Sequence, residues 1–529
     1  MWITSVTALV KSTDYLNHSQ SRNPITPNRL VMRITFFFCP LFALGMVSSM
    51  SASHLADAVE KKNQFEIEAL LTKDLDLNVP QVDGMTALHW AVYHDDKALT
   101  QRLMNRGASA VSKNRYGVTP LYLACENGSA KLVRLLLDAG ADPNSEVRGG
   151  ETALMTAART GIVGVVETLL KAGANIDAKE RKDQSAIMWA ASEGNLEVVK
   201  TLINAGADYQ TPLRFGFTPF YFAIREGHSE LVQYFLEIGE NPNGAIYYTK
   251  DPGKFWVVPG TSPLILAIEN GHYDLAVELL EAGADPNDMR TGFSPLHTLT
   301  WIRKPDIGES ASGAPSPRGS GRRNSEDIAR DLVDHGADVN VQLFRGHRAG
   351  GPRYRQNSAR YSQIGATPFF LAADRADLPF IKLLLELGAD PFIPNEDNCT
   401  ALLVAAGIGS AAPEEEAGSE EEILEVLEFL LGLGMDINSV DENGETAMHG
   451  AAYKNVPEVV RFLYRHGHVI KIWNKNNNKD RTPLLIAEGY RPGNFKPSFA
   501  TVEAIIEVMR NEGVEPPTGP KPKHTNFAN

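Results

Sequence analysis

Three histidines, His89, His297 and His449, hold the fourth position of a short element, seen as TALH, SPLH and TAMH. An imidazole could shuttle a proton or bind a metal, but either chemistry needs partners at fixed spacing. The chain has no H-E-x-x-H, no glycine-rich phosphate motif and no G-x-S-x-G elbow. Its three cysteines are no more productive. Cys39 lies in an apolar N-terminal run, and Cys125 and Cys399 stand far apart, so neither a metal framework nor an internal disulfide is expected. Six glutamates crowd AAPEEEAGSEEE, residues 411–422, without the alternating oxygen ligands of a calcium loop. Part of that stretch is expected to open a helix, whose N-terminal dipole favours acid. No catalytic residue, metal or cofactor is expected.

Arginine offers recognition instead. Arg115, Arg148, Arg181 and Arg214 recur every 33 residues, and Arg290 takes the same place after an insertion. Such a row could read an acidic protein strip or a polyanion. It could equally pair with Glu126, Glu193, Glu226 and Glu269 and be solvated structure of little net energy. The formal charge of −14, from 51 basic and 65 acidic residues in 529, argues against general affinity for nucleic acid, which is not expected as a partner.

The spacing that aligns the arginines belongs to the whole chain. Helix starts recur at Thr86, Thr119, Thr152, Ser185 and Thr218, each 33 residues after the last, and again at Ser262, Ser294, Thr367, Thr400, Thr446 and Thr482. In TPLYLACENGSAKLVRLLLDAGADPN, Thr119 suits an N-cap and Pro120 the first helical position. Leu121, Leu123 and Ala124 then give a small apolar face. Gly128 ends this helix, and a second carries Leu132, Val133, Leu135, Leu136 and Leu137 to Gly140. Neither helix can bury its face alone, so the units must stack.

Period, T-P-L-H-x-A element and AGADPN turn together resemble ankyrin repeats over roughly residues 53–515. The resemblance implies an all-α solenoid of about 12 helix-turn-helix units joined by β-hairpin loops, with the T-x-L-H histidine structural and proteins bound on a concave face. By register it places partner contacts at Tyr93, His94, Arg115, Tyr116, Val118, Glu126, Asn127, Arg159, Phe215, Phe217, Arg225 and Phe293. Residues 54–82 read as an N-terminal cap, 83–300 as repeats, 301–366 as an interrupted repeat and 367–515 as repeats ending in a helix. A Pro- and Lys-containing tail, 516–529, follows.

Departures from the period mark insertions, which in solenoids go to loops. Residues 245–258 carry Tyr247, Tyr248, Phe255 and Trp256 at a hairpin, either to anchor a partner or to fold back on the next repeat. Residues 303–326 are rich in Gly, Ser and Pro and read as flexible. Residues 343–363 hold five arginines, two tyrosines and no acid. They either grip an anionic partner or pair with the acidic 411–422 loop.

At the other end, residues 32–53 combine a basic start, an apolar run from Ile34 to Val47 and a small-residue stretch suited to cleavage after Ser51 or Ser53. The pattern resembles a secretory signal peptide. The 14-residue run is short of the ~20 residues of a membrane span, so cleavage is expected over an anchor at 34–47. Residues 1–31 are polar and patternless, which suggests a true start at Met32. Export to a periplasm or beyond the cell, as a monomeric non-catalytic scaffold for another protein, is the expectation. An exported effector or inhibitor of a foreign protein, or a polyanion-binding surface protein, would share the fold.

Overall fold

The structure, a computed structural model, describes residues 53–248, 257–307, 317–344, 362–410, 413, 415–491, 496–518 and 521. The signal-like segment 32–53 therefore lies outside the described residues, apart from Ser53, as do the 1–31 extension, Phe255, Trp256, most of the basic 343–363 loop and most of the tail. Residues from Leu55 onward form one compact unit.

Among the described residues there are 25 helices, twelve pairs and one short extra helix, Ile470–Trp473. The pairs run from His54–Glu60 with Gln64–Leu71 to Pro483–Ala487 with Phe499–Asn511. The local chemistry repeats. Thr119 Oγ1 accepts the Tyr122 N–H at 3.1 Å, and Pro120 opens helix Pro120–Glu126. Gly128 follows at φ +66°, after which Ala130–Asp138 runs back to Gly140 at φ +86°. Leu121, Ala124, Leu132, Val133 and Leu136 are fully enclosed, and their counterparts in other pairs belong to one continuous core. First helices pack mainly on first helices of adjacent pairs, and second on second.

Asparagine in the polar turn explains why AGADPN recurs. Asn144 Nδ2 donates to the Gly173 carbonyl at 3.1 Å, and its Oδ1 accepts the Asn175 N–H at 2.7 Å. Asn243 makes the same two bonds to Gly283 and Asp285, at 2.8 and 2.7 Å. One side chain thus satisfies a helix-end carbonyl and a turn N–H of the next unit.

The hairpin loops are tighter than a strand ladder. Among the described residues only isolated bridges occur, Glu146 with Thr152, Ile246 with Thr261 and His272 with Ser320. The end of the Gly/Ser/Pro-rich loop is pinned, in contrast to the flexibility expected of it. Ser320 Oγ bonds His272 Nδ1 at 2.8 Å, and Asp274 receives the Arg322 N–H at 2.7 Å and the Arg323 guanidinium at 3.0 Å.

Candidate functional site

The hairpin tips build the arginine row. Asn114 folds its own turn: its N–H donates to Val118 O at 3.0 Å, and its Oδ1 accepts the Tyr116 and Val118 N–H groups, both at 2.9 Å. The next residue faces the neighbouring tip. Arg115 N–H donates to Asp83 O at 3.0 Å, Arg148 N–H to Tyr116 O at 3.0 Å, and Arg181 N–H to Gly149 O at 2.9 Å. Gly84 makes this approach possible. It sits at φ +92°, and a Cβ there would fall 2.8 Å from Asn114 Cα.

These backbone rungs fix where each arginine leaves the edge. Arg115, Arg148 and Arg181 are exposed, and among the described residues none makes an ion pair. The pairing with Glu126, Glu193, Glu226 or Glu269 that could have made the row structural is absent from these three. Nearby acids are used otherwise. Asp83 Oδ1 accepts the Met85 N–H at 2.9 Å, and Glu180 Oε1 accepts the Lys182 and Gln184 N–H groups at 2.8 and 3.3 Å.

The row does not continue unchanged. Arg214 lies over the Phe215 ring, 4.5 Å from its centroid. Arg290 is a clamp, not a free cation. It holds Asp288 through Nε and Nη2 at 2.9 and 2.7 Å, and donates to the Asn243 and Gly244 carbonyls at 3.0 Å each. At the same tip position in later repeats stand the exposed Glu396 and Glu442, whose N–H groups bond Ile364 O at 2.9 Å and Asp397 O at 2.8 Å. The edge therefore changes sign along its length.

The positions transferred by register divide in the same way. Tyr93 and Tyr116 are exposed, 41% and 57%. Glu126 is exposed on the first-helix end, with its carboxyl pushed up by partial burial against the pull of Arg159. Arg225 pairs with Glu226 at 2.7 Å and lies over Phe222 and Phe217, 4.9 and 5.7 Å from their centroids. His94 stacks on Trp90 and ties to the Glu60 carbonyl at 3.1 Å, while Asn127 donates to Val92 O and Tyr93 O at 2.8 and 3.2 Å. Both are held by neighbouring units. Val118 is half-buried against the core.

Two placements are corrected. Phe217 and Phe293 are buried, not presented to a partner. Phe217 packs 5.4 Å from Phe222, and Phe293 meets Trp301 edge-on at 5.0 Å. An apolar ring one residue past the turn glycine turns inward because the helix it precedes offers apolar surface.

One register position, Arg159, meets a residue that the register did not name. Arg159 lies over Trp189 at 5.8 Å, and among the described residues Arg159 Nε and Nη2 and Trp189 Nε1 find no hydrogen-bond partner. The aromatic four residues past a helix start is common to several repeats, and only the geometry distinguishes this one.

First-helix ends of later repeats are tied down instead. The segments inserted after Pro295–Arg303 and Ala401–Ala405 meet, with Ile307 N–H donating to Glu415 O at 2.8 Å. Asp306 Oδ1 accepts the Ala417 N–H at 3.2 Å and faces Arg375 at 3.4 Å. Lys304 pairs with Glu422 at 2.9 Å, and the buried Lys454 donates to Ala417 O at 2.8 Å. The acidic segment also opens helix Glu420–Gly432, with Ser419 and Glu422 closing a capping box.

The three T-x-L-H histidines are spent on structure. His89 Nδ1 accepts the Thr86 N–H at 3.2 Å, and its Nε2–H donates to Val118 O of the next hairpin at 3.1 Å. His297 and His449 do the same toward Ala366 O and Lys475 O, at 3.0 and 3.2 Å. Burial pushes His297 and His449 down to about 4, so both are neutral at pH 7. Both described cysteines are free and buried, and burial raises their thiols, which makes them inert packing. Among the described residues no group of three or more His, Cys, Asp or Glu is placed to hold a metal ion.

Stacked helix pairs, hydrogen-bonded tip to tip and buried along one core, define a helical repeat protein. Family models for ankyrin repeats in three copies match residues 55–147, 117–180, 145–212, 187–290 and 416–496, and the single ankyrin repeat matches 364–396. The chain belongs to the ankyrin-repeat family. Such repeats typically serve as scaffolds for protein–protein interaction and are generally non-catalytic, and no enzyme domain is found along this chain. No curated protein matches it. No helix among the described residues is long and apolar enough to cross a membrane.

Proposed function

We propose that this chain is an exported, non-catalytic scaffold that binds an acidic protein partner along the hairpin tips of its N-terminal repeats. One observation carries the reading. Arg115, Arg148 and Arg181 are exposed and without ion partners among the described residues, on tips aligned by backbone rungs, in a chain whose net charge is −14. Unpaired arginines on a fixed backbone are suited to carboxylate recognition, because the planar guanidinium fork matches a carboxylate bidentately and the backbone beneath needs no reordering. Export rests on the sequence of residues 32–53, with a periplasmic or extracellular site of action and a mature chain beginning after Ser51 or Ser53. A mature chain that retained residue 20 would remove that part of the reading.

The test is affinity capture from the native compartment with the wild-type chain and with Arg115, Arg148, Arg181 and Arg214 changed to alanine. The expected result is an acidic protein retained by the wild type and lost by the variant, while Arg134→Ala, on an exposed second-helix position, retains it. Recovery of the same protein with unchanged affinity by the fourfold variant would remove the tips from the binding surface. A sulfated or phosphorylated polymer eluting in place of a protein would favour the polyanion reading, with a steep loss of binding as salt rises.

A further inference from the structure

Two arginines hold the same place at the end of a first helix and differ in one respect. Arg159 and Arg225 each stand seven residues after a helix start, Thr152 and Thr218. Each guanidinium lies over an aromatic ring, Trp189 at 5.8 Å and Phe222 at 4.9 Å. The residue after Arg225 is Glu226, whose Oε1 takes the guanidinium edge formed by Nε and Nη2, at 2.8 and 2.7 Å. Thr160 follows Arg159, and its hydroxyl donates backward to the Ala157 carbonyl at 2.9 Å. The Nε and Nη2 edge of Arg159 is therefore without an acceptor among the described residues, and both atoms are enclosed.

The chain shows elsewhere what that edge takes. Arg290 closes it on both oxygens of Asp288, at 2.9 and 2.7 Å, and Arg303 on both oxygens of Asp377, at 2.9 and 3.4 Å. A planar fork and a carboxylate match in geometry as well as in charge. Trp189 Nε1, beside Arg159, is a third enclosed donor without an acceptor among the described residues. Enclosed donors of this kind cost free energy that a bound acceptor returns.

The chain's own carboxylates do not supply it. Glu151 is buried and accepts from the Tyr122 and Thr156 hydroxyls at 3.2 and 3.0 Å. Glu126 is exposed and near enough to feel the Arg159 charge, yet makes no ion pair with it among the described residues. The backbone under Arg159 is fixed, because Asn195 Nδ2 donates to the Ala158 and Arg159 carbonyls at 2.9 and 3.0 Å. Only the half-buried side chain has to turn for its fork to open outward.

Resting on the scaffold role proposed above, we infer that Arg159 and Trp189 form a carboxylate site at the first-helix ends, where the Arg159 fork and Trp189 Nε1–H hold an aspartate or glutamate of the partner. The hairpins that carry Arg148 and Arg181 lead into helices Ala153–Thr160 and Ala186–Ser192, which carry the two residues. A partner lying along the tips therefore has the site on the next element.

Side-chain NMR on the full-length protein, with acetate as the probe, tests the site. Acetate should move the Arg159 Nε–H and Trp189 Nε1–H resonances along one saturating curve, and acetamide, neutral and of the same shape, should move neither. Arg159→Lys keeps the charge without the fork and should weaken acetate at Trp189 about tenfold. Trp189→Phe keeps a ring without the donor and should weaken it at Arg159 about threefold. Changing Arg115, Arg148, Arg181 and Arg214 to alanine should leave both responses in place. No movement with acetate, or equal movement with acetamide, would overturn the inference. So would a response that survives Arg159→Lys at full strength or disappears with the tips. In affinity capture, an acidic protein lost by the fourfold tip variant but kept by Arg159→Lys would also overturn it and leave the tip reading standing. A protein kept by the fourfold variant and lost by Arg159→Lys would end the tip reading and leave the site.

Discussion

His468 occupies a position that other repeats fill with a small apolar residue, as at Ala108, Ala141, Ala207 and Ala284. It is 4% exposed, neither ring nitrogen has a hydrogen-bond partner among the described residues, and burial beside His449 pushes it down to about 3. A group whose folded pKa is depressed below its unfolded 6.5 takes up protons on unfolding. Its contribution to stability is therefore full above pH 6.5 and is lost as pH falls toward 3. His297 and His449, down to about 4, act in the same direction. Asp374 and Asp441, pushed up to about 6 mainly by burial, act in the opposite one and recover part of the loss as pH falls through 6. Because pH 5 lies 1.5 below the unfolded 6.5 and well above the folded value, His468 accounts for roughly 2 kcal/mol of the acid loss at pH 5. His468→Met keeps the volume and removes the proton site. Urea unfolding at pH 7.5 and pH 5 should show the variant losing about 2 kcal/mol less than the wild type over that interval. Equal losses would mean that His468 does not carry the acid sensitivity. Residues bound to the repeat by a fixed spacing, such as His89, were legible in the sequence. His468 was not, because its environment is set by a short helix, Ile470–Trp473, that replaces the usual turn.

Helix pairs were legible as elements because a capping threonine or serine, a proline and a closing glycine recur in phase. The destination of the insertions was not, because their contacts lie far along the chain: Asp306 meets Ala417 across 111 residues. The basic 343–363 loop, read either as gripping an anionic partner or as pairing with the acidic loop, lies mostly outside the described residues. Among the described residues, the acidic segment meets residues 304–307, Arg375 braces Lys304 O and Asp306, and a whole repeat lies between the two insertions in sequence. Asp306→Ala removes an acceptor from the Ala417 N–H and a partner from Arg375. Local hydrogen exchange at Ile307 and Ala417 should quicken about tenfold, the equivalent of one lost charge-assisted hydrogen bond at about 1.4 kcal/mol. Amides of helix Ala130–Asp138, many repeats away, should be unaffected. If Ile307 and Ala417 exchange as in the wild type, the two segments are held together by other contacts.

At the scale of the molecule the fold behaves as a chain of neighbours. The principal helix contacts join adjacent pairs, and every tip rung and asparagine clamp crosses one repeat boundary. In such an array stability is a sum of unit and interface terms, so damage propagates through interfaces and fades with distance. Leu132 is fully enclosed in helix Ala130–Asp138, and Leu132→Ala should cost about 2–5 kcal/mol. In a globular domain that cost would appear in every strongly protected amide, because each exchanges through one global opening. Here the loss of protection should be greatest in residues 120–138, smaller in the flanking pairs Ala87–Tyr93 with Lys97–Asn105 and Ala153–Thr160 with Val163–Lys171, and undetectable around Tyr453 and Trp473, both fully enclosed in the C-terminal repeats. Hydrogen-exchange mass spectrometry of the two proteins decides between the cases. A uniform loss from the N-terminal cap to Trp473 would mean that the stack unfolds as one cooperative body, and the arginine tips could then not be altered without consequences for the distant, acidic end of the edge.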